Sequence, residues 1–297
     1  MQKYILLFIL YPFFLIITVK GQINVNKGDS VFLSTSDYRG TIQWQISSDG
    51  LQWNNIADAF FNTYKFTASE NSYYRAMITE GACFPEYSDS VLVIVKSFIC
   101  SNILIDNRDN KEYKTVKIGD QCWMAENINI GLILDSNQFQ SDNQIIEKYC
   151  ANNDSTNCNI YGGLYEWGEI MNYSTNELTQ GICPTGWHIP SDNEYKTLEI
   201  YLGMTKEMAD IENNWRGTDQ GTKMLNGGSS GFNALLSGGR SNSGSFLAFQ
   251  QYEYLWTSTQ YGSYYAWRRC LRAGDSTVGR WNTFPINYSF SVRCLKN

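Results

Sequence analysis

Eight cysteines follow an apolar leader in this chain, and that combination limits its fold more than any other feature. The first residues read MQKYILLFILYPFFLIITVKGQ, with Lys3 as a short positive region and Tyr4 to Val19 as an unbroken apolar run. Val19 and Gly21 place small or branched residues before a cut at Gln22, the pattern of a secretory signal. The run is shorter than the roughly 18 to 20 residues a spanning helix needs, and Pro12 interrupts it. Residues 1–21 are therefore expected to be a cleaved export signal, with no membrane insertion afterwards. No Cys follows the cut, which argues against a lipid anchor. An exported chain meets an oxidising compartment, so its cysteines are expected to pair. Zinc is the other use of such a set, but it favours paired C-x-x-C spacing and histidines. The chain has no C-x-x-C and one histidine. No metal and no cofactor are expected.

Removing residues 1–21 takes Lys3 and Lys20 and no acid, so 21 basic residues face 29 acidic ones, a net charge of −8. An acidic surface disfavours nucleic acid and anionic membranes as partners. It sets no oligomeric state.

About 275 mature residues suit one large domain or two ordinary ones, and the pattern favours two. From Gly28 to Val95 short β runs (SVFLSTS, TIQWQISS, TYKFTA, SYYRAMITE, SVLVIV) alternate with turn signals, and Asp49-Gly50 reads as a hairpin turn. Trp44 falls on a central run, where a β-sandwich core takes a large aromatic. Residues 22–96 resemble a bacterial immunoglobulin-like domain, an all-β sandwich. Tyr74 and Ala76 keep the Tyr-x-Cys spacing of that fold with Ala in place of Cys, so its inter-sheet disulfide is missing. The expected role is a spacer that presents the second domain.

Residues 97–297 read as an α+β domain. In CPTGWHIPSDNEYKTLEIYLG, residues 183–203, Ser191 and Glu194 form a capping box. Pro190 holds the entering chain extended. Tyr195, Leu198 and Leu202 make one apolar stripe of a helix that Gly203 can end. His188 lies between Trp187 and Ile189, facing away from Trp187. No nucleophile motif or H-E-x-x-H accompanies it, so its expected role is structural. The later runs YLWTSTQ, YYAWRRCLRA, STVGRWN and YSFSVRCLK read as strands of a meander. In the last run alternation puts Tyr288, Phe290, Val292 and Cys294 inward and Ser289, Ser291 and Arg293 outward. GFNALLSGGR, with Gly238 and Gly239 before Arg240, reads as a tight loop or core passage. The run Asp106-Asn107-Arg108-Asp109-Asn110 superficially resembles a calcium loop but lacks its central Gly and distant Glu, and reads as a hairpin turn.

CPTGWHIPSDNEY, with IGDQCWMAEN at 118–127, YGGLYEW at 161–167, GFNALLSGGR at 231–240 and YSFSVRCL at 288–295, resembles the Fibrobacter succinogenes major paralogous domain, a family of exported and surface proteins. Its helix entry and closing strand also look like those of the C-type lectin-like fold, which includes formylglycine-generating enzymes. This is a likeness of fold, and fold alone carries no function. The resemblance points to a Cys183–Cys294 bridge, which would tie the domain's middle to its end. Cys150 and Cys158 flank a polar turn, and Cys100 and Cys122 flank a hairpin-like run; each pair is a candidate bridge. Cys83 and Cys270 remain, either free or joined.

Three functions are open. A non-catalytic module binding glycan or a surface protein is favoured by the late aromatic and polar mixture, with Trp256, Tyr264, Trp267, Arg268, Trp281 and Asn282 as candidate ligand contacts. The competing reading gives these rings to the core. Trp281-Asn282-Thr283 lacks the acid of the lectin Trp-Asn-Asp triplet, so sugar binding is expected to be calcium-independent. An enzyme resembling the formylglycine-generating group would need a late reactive cysteine pair. Cys270 and Cys294 are late, but Cys294 is better used in a bridge, and Glu166, Glu169 and Glu194 have ordinary helix and cap explanations. No catalytic residue is therefore assigned. The third function is an adhesive scaffold. The expected localisation is secreted or cell-surface.

Overall fold

The computed structural model describes residues 5–8, 17–18, 21–36, 38–96 and 98–297. Two compact units divide at Phe98 and Ile99. Of the expected export segment, residues 1–21, most lies outside the described residues. Ile5–Phe8 and Ile17–Thr18 are short strands, with Ile5–Phe8 antiparallel to Ser30–Thr35.

The first unit is β-rich. One sheet orders Ile17–Thr18, Ile5–Phe8, Ser30–Thr35 and Thr63–Thr67. The other orders Gly21–Asn26, Val91–Lys96, Ser72–Thr79, Thr41–Ser47 and Asn54–Asn55, with Glu86–Tyr87 added beside Ser72–Thr79. Gly21–Asn26 runs parallel to Val91–Lys96; the other pairs of that sheet are antiparallel. The alternating runs bury one face each, as period-2 patterning requires: Val31 and Leu33, Trp44, Tyr74 and Ala76, and Val93 close a single core. Trp44 satisfies its buried indole N–H on Phe61 O at 2.9 Å. At the Asp49-Gly50 turn the Asp49 carboxylate accepts from the backbone N–H of Leu51 and Gln52.

The second unit is mixed α+β. The capped helix, Asp192–Tyr201, begins as its sequence dictates: Ser191 Oγ accepts from Glu194 N, and Glu194 Oε2 accepts from Ser191 N at 2.8 Å. Tyr195 and Leu198 are buried beside Trp123, Phe232, Leu255 and Leu271 in the main core. Gly203 follows at φ +105°, a conformation other residues adopt with strain. One sheet orders Asn214–Arg216, Val278–Trp281, Tyr265–Arg272 and Tyr252–Tyr261, all antiparallel. A second orders Tyr165–Glu166, Ser289–Phe290, Gly239–Arg240 and Phe246–Leu247. A third sets Leu295–Lys296 between Gln121–Met124 and Trp187–His188. Gly238 and Gly239 form a core passage: a Cβ on Gly238 would meet Leu247 O at 2.2 Å, and one on Gly239 the Phe290 ring at 2.6 Å. Residues 106–110 turn the hairpin between Leu104–Asp106 and Lys111–Tyr113, and Asp106 binds Arg108 at 2.6 Å.

The closing run departs from its expected alternation. Ser289, Ser291 and Arg293 are as fully buried as Phe290, Val292 and Cys294. Alternation presumes a wet face, and here both faces are covered. Arg293 is enclosed because it donates to Asn127 Oδ1 at 2.8 Å and to the carbonyls of Phe232 and Asn233.

Three disulfides staple this unit: Cys100–Cys122, Cys150–Cys158 and Cys183–Cys294. Cys83 is exposed and unpaired, and Cys270 is buried and unpaired.

Candidate functional site

The hairpin Tyr252–Tyr261/Tyr265–Arg272 carries most of the expected ligand contacts, and buried charge fixes it to the capped helix. Asp192 and Glu199 lie two turns apart on one face of that helix. Arg269 donates to Asp192 Oδ1 at 2.6 Å, to Asp192 O at 2.9 Å and to Glu199 Oε1 at 2.6 Å. Arg216 donates to Glu199 Oε2 at 2.7 Å, and Arg280 to Asp192 Oδ2 at 2.7 Å. Burial alone would raise the Asp192 carboxyl, but Arg269 and Arg280 outweigh it and hold the group well below the usual range. Burial pushes Arg216 down to about 10 against the pull of Glu199. Buried charges persist only when paired in this way.

The candidate contacts do not gather on one surface. Trp256 is wholly buried, donating to Tyr165 O at 3.1 Å and packing on Phe290. Trp267 is buried beneath Arg280, whose guanidinium lies 3.9 Å from the ring. Arg268 is buried with its guanidinium 4.2 Å from the Phe284 ring, and its Nε and Nη1 lack hydrogen-bond partners. Trp281 is half-buried opposite Arg268 in register, so Trp256, Arg268 and Trp281 form one row across three strands. Asn282 is buried and donates its backbone N–H to Asn213 Oδ1 at 3.1 Å. Tyr264 alone stands open, 74% exposed at the hairpin tip, with Tyr261 and Tyr265 also exposed.

The groups with possible chemistry are engaged or shielded. His188 holds Asn297 Oδ1 at 2.7 Å and Glu194 Oε1 at 2.9 Å. Burial opposes its charge, yet these two bonds raise its pKa overall. It thereby joins the chain's end to the helix cap. Burial pushes the Cys270 thiol up to about 12, and a thiol so held is a poor nucleophile. Among the described residues no group of three or more His, Cys, Asp and Glu is placed to hold a metal ion. No described helix is long and apolar enough to cross a membrane.

A shallow cleft of about 310 Å³ opens elsewhere on this unit, lined by Ile118, Gly119, Asp120, Gln121, Thr197 and Tyr201. Gly119-Asp120 is the two-residue turn between Thr115–Ile118 and Gln121–Met124, with Ile118 paired to Gln121. Gly119 takes φ +61°, as such turns demand. Its missing Cβ also matters, since one would approach the Tyr201 ring to 2.8 Å. Tyr201, the last residue of the capped helix, lies on that glycine and is 65% exposed. Asp120 and Thr197 are exposed beside it. Sequence reasoning missed this site: Tyr201 falls outside the helix's apolar stripe, and only the fold sets it on the turn. The available signal was the Gly119-Asp120 turn between two alternating runs.

These features define an extracytoplasmic protein: a β-rich unit followed by an α+β unit stapled by three disulfides, bonds that form and persist outside reducing compartments. Residues 116–296 match the Fibrobacter succinogenes major domain, and the chain belongs to that family. Residues 17–97 match a domain of unknown function (DUF8696). No curated protein matches the chain.

Proposed function

We propose that this chain is a secreted or cell-surface binding protein, released from residues 1–21, whose C-terminal unit holds a glycan non-catalytically in the Gly119–Tyr201 cleft. The carrying observation is the open Tyr201 ring seated beside the Asp120 carboxylate and the Thr197 hydroxyl. An aromatic face covers the C–H face of a pyranose, while carboxylate and hydroxyl oxygens accept from its hydroxyls. The shielded Cys270 and the engaged His188 favour binding over catalysis. On this reading the C-terminal unit is C-type lectin-like, calcium is not needed, and an immunoglobulin-like N-terminal unit serves as a spacer.

The test is a glycan and polysaccharide panel with the mature protein, in calcium and in chelator. Saturable binding in both, lost in Tyr201→Ala with the melting temperature unchanged, is the expected result. An empty panel, or binding indifferent to Tyr201→Ala, refutes it. A second reading rests on the hairpin tip. Tyr261, Tyr264 and Tyr265 form an exposed aromatic edge suited to a surface protein, and Tyr264→Ala would weaken that contact while sparing glycan binding.

A further inference from the structure

Residues 134–146 form a strap with little regular structure, joining Leu132–Ile133 to Glu147–Lys148, two strands that pair in parallel. Loops of this kind are uncommon inside compact units unless they serve a function. Side chains from outside fasten it along its length: Tyr149 Oη donates to Gln138 O at 2.9 Å, and Asn153 Oδ1 accepts from Ser136 N at 3.0 Å. Arg240 donates to Ser136 O at 2.8 Å and to Gln138 O at 3.0 Å. Glu147 accepts from Ser141 N at 3.0 Å and Asn143 Nδ2 at 3.1 Å. Gln140 secures the middle, donating to Glu147 O and accepting from Glu166 N, each at 2.7 Å.

Beneath the strap, Glu166, Ser289 and Arg240 align in register across three neighbouring strands. Arg240 Nη1 lies 3.9 Å from Glu166 Oε1. Glu166 Oε1 and Ser289 Oγ are buried and lack hydrogen-bond partners. A carboxylate left this way is poorly solvated while it stays covered, and Arg240 Nη1, which donates to Ser241 O at 3.3 Å, lies outside hydrogen-bond reach of it. We propose that Glu166 and Arg240 form an ionisation-dependent clasp on residues 134–146, closed while Glu166 is neutral and released when it is charged. Release lets water reach Glu166, draws Arg240 away from Ser136 and Gln138, and uncovers the polar row below.

The surroundings set the sign. Burial pushes Glu166 up to about 7; Arg240 opposes this, while Glu169 and Glu147 reinforce it. Glu169 is itself raised by burial, with Glu147 and Asp142 adding to the effect. Tyr149 and Tyr173 stay neutral in the relevant range, both raised chiefly by burial. Lys148, lowered to about 8 by burial, is turned toward Asn129, to which its Nζ donates. Covered Glu166 therefore holds its proton more tightly than the ordinary value of 4.5 allows once the strap opens. The closed strap is favoured in mild acid, and opening grows as pH rises through about 7. With those two values, the opening constant rises about 70-fold between pH 5 and pH 8.

Hydrogen exchange of the full chain, corrected for intrinsic rates, reads this constant in peptides covering 134–146. The wild type should show the rise, Glu166→Gln should abolish it, and peptides from 21–96 should show neither effect. A rise that persists in Glu166→Gln assigns it to other groups, Lys148 included, and overturns the proposal, as does a flat wild type. Should Glu166→Gln fail to fold, the carboxyl ¹³C shift of Glu166 in the wild type decides: a midpoint near 7 supports the clasp and one near 4.5 overturns it.

Discussion

Replacing Asp192 by alanine removes the carboxylate shared by Arg269 and Arg280, whose guanidiniums approach it to 2.6 and 2.7 Å. Both arginines stay buried; Arg269 keeps Glu199, while Arg280 loses its close carboxylate and retains only Glu212 at 3.7 Å. Breaking a buried pair from one side is expected to lower stability by about 3–5 kcal/mol. For a unit of this size each kcal/mol shifts the melting temperature by roughly 2–4 °C, giving a drop of about 6–20 °C. Calorimetry of the full chain reads this directly. Asp210→Ala is the control: its partner Lys196 lies 2.9 Å away at the surface, and such pairs contribute about 0–1 kcal/mol. The pH dependence has a definite sign. Burial raises the Asp192 carboxyl, but Arg269 and Arg280 prevail and depress it. Its contribution is therefore present above the ordinary value of 3.8 and is lost as pH falls toward the depressed folded value. The advantage of wild type over Asp192→Asn should hold at pH 5 and shrink in stronger acid. A drop for Asp192→Ala no larger than for Asp210→Ala would refute the reasoning, since the lattice would then contribute nothing net.

Three further outcomes can be checked. Removing Cys183–Cys294, with a separation of 111 residues, should lower the guanidinium midpoint more than removing Cys150–Cys158, with a separation of 8. Chain entropy assigns about 4–5 kcal/mol to the first and about 2–3 to the second, so the reverse order would count against it. Thiol alkylation followed by peptide mass mapping should label exposed Cys83 in the native protein and Cys270 only after unfolding, because burial pushes the Cys270 thiol up to about 12; rapid native labelling of Cys270 would show that the core opens. Burial likewise raises fully buried Glu253 to about 7, against hydrogen bonds from Ser237 and Asn127. Its folded value lies above the unfolded one, so stability should fall from pH 5 to pH 8 more steeply in wild type than in Glu253→Gln, and equal slopes in denaturant titrations would contradict this.

Local signals carried much of the fold. Ser191 and Glu194 cap each other because that geometry needs only four successive residues. The late strands declare themselves because each run has a β period and ends in turn residues. Prediction failed where a residue's fate depended on a distant layer. Ser289, Ser291 and Arg293 alternate with apolar neighbours and so read as outward, yet Asn127 and the carbonyls of Phe232 and Asn233 enclose Arg293. The expected ligand set suffered likewise. Alternation separates Trp267 from Arg268, but it does not reveal that Arg280 covers the first or that Phe284 covers the second.

That failure bears on where a ligand can be met. The guanidiniums of this sheet are already engaged: Arg269 of the hairpin and Arg280 of the neighbouring strand neutralise helix carboxylates, and Arg268 is packed among rings. Drawing Arg269 or Arg280 out to a ligand would leave buried carboxylates uncompensated, which costs several kcal/mol. On the proposed binding reading, contact therefore falls to groups the fold does not consume. Tyr201 with Asp120 on the Gly119 turn, and Tyr264 at the hairpin tip, satisfy that condition because each is exposed at the end of a regular element. Substitutions at these exposed edges therefore test binding without the cavity that replacing buried Trp256 or Trp267 would open.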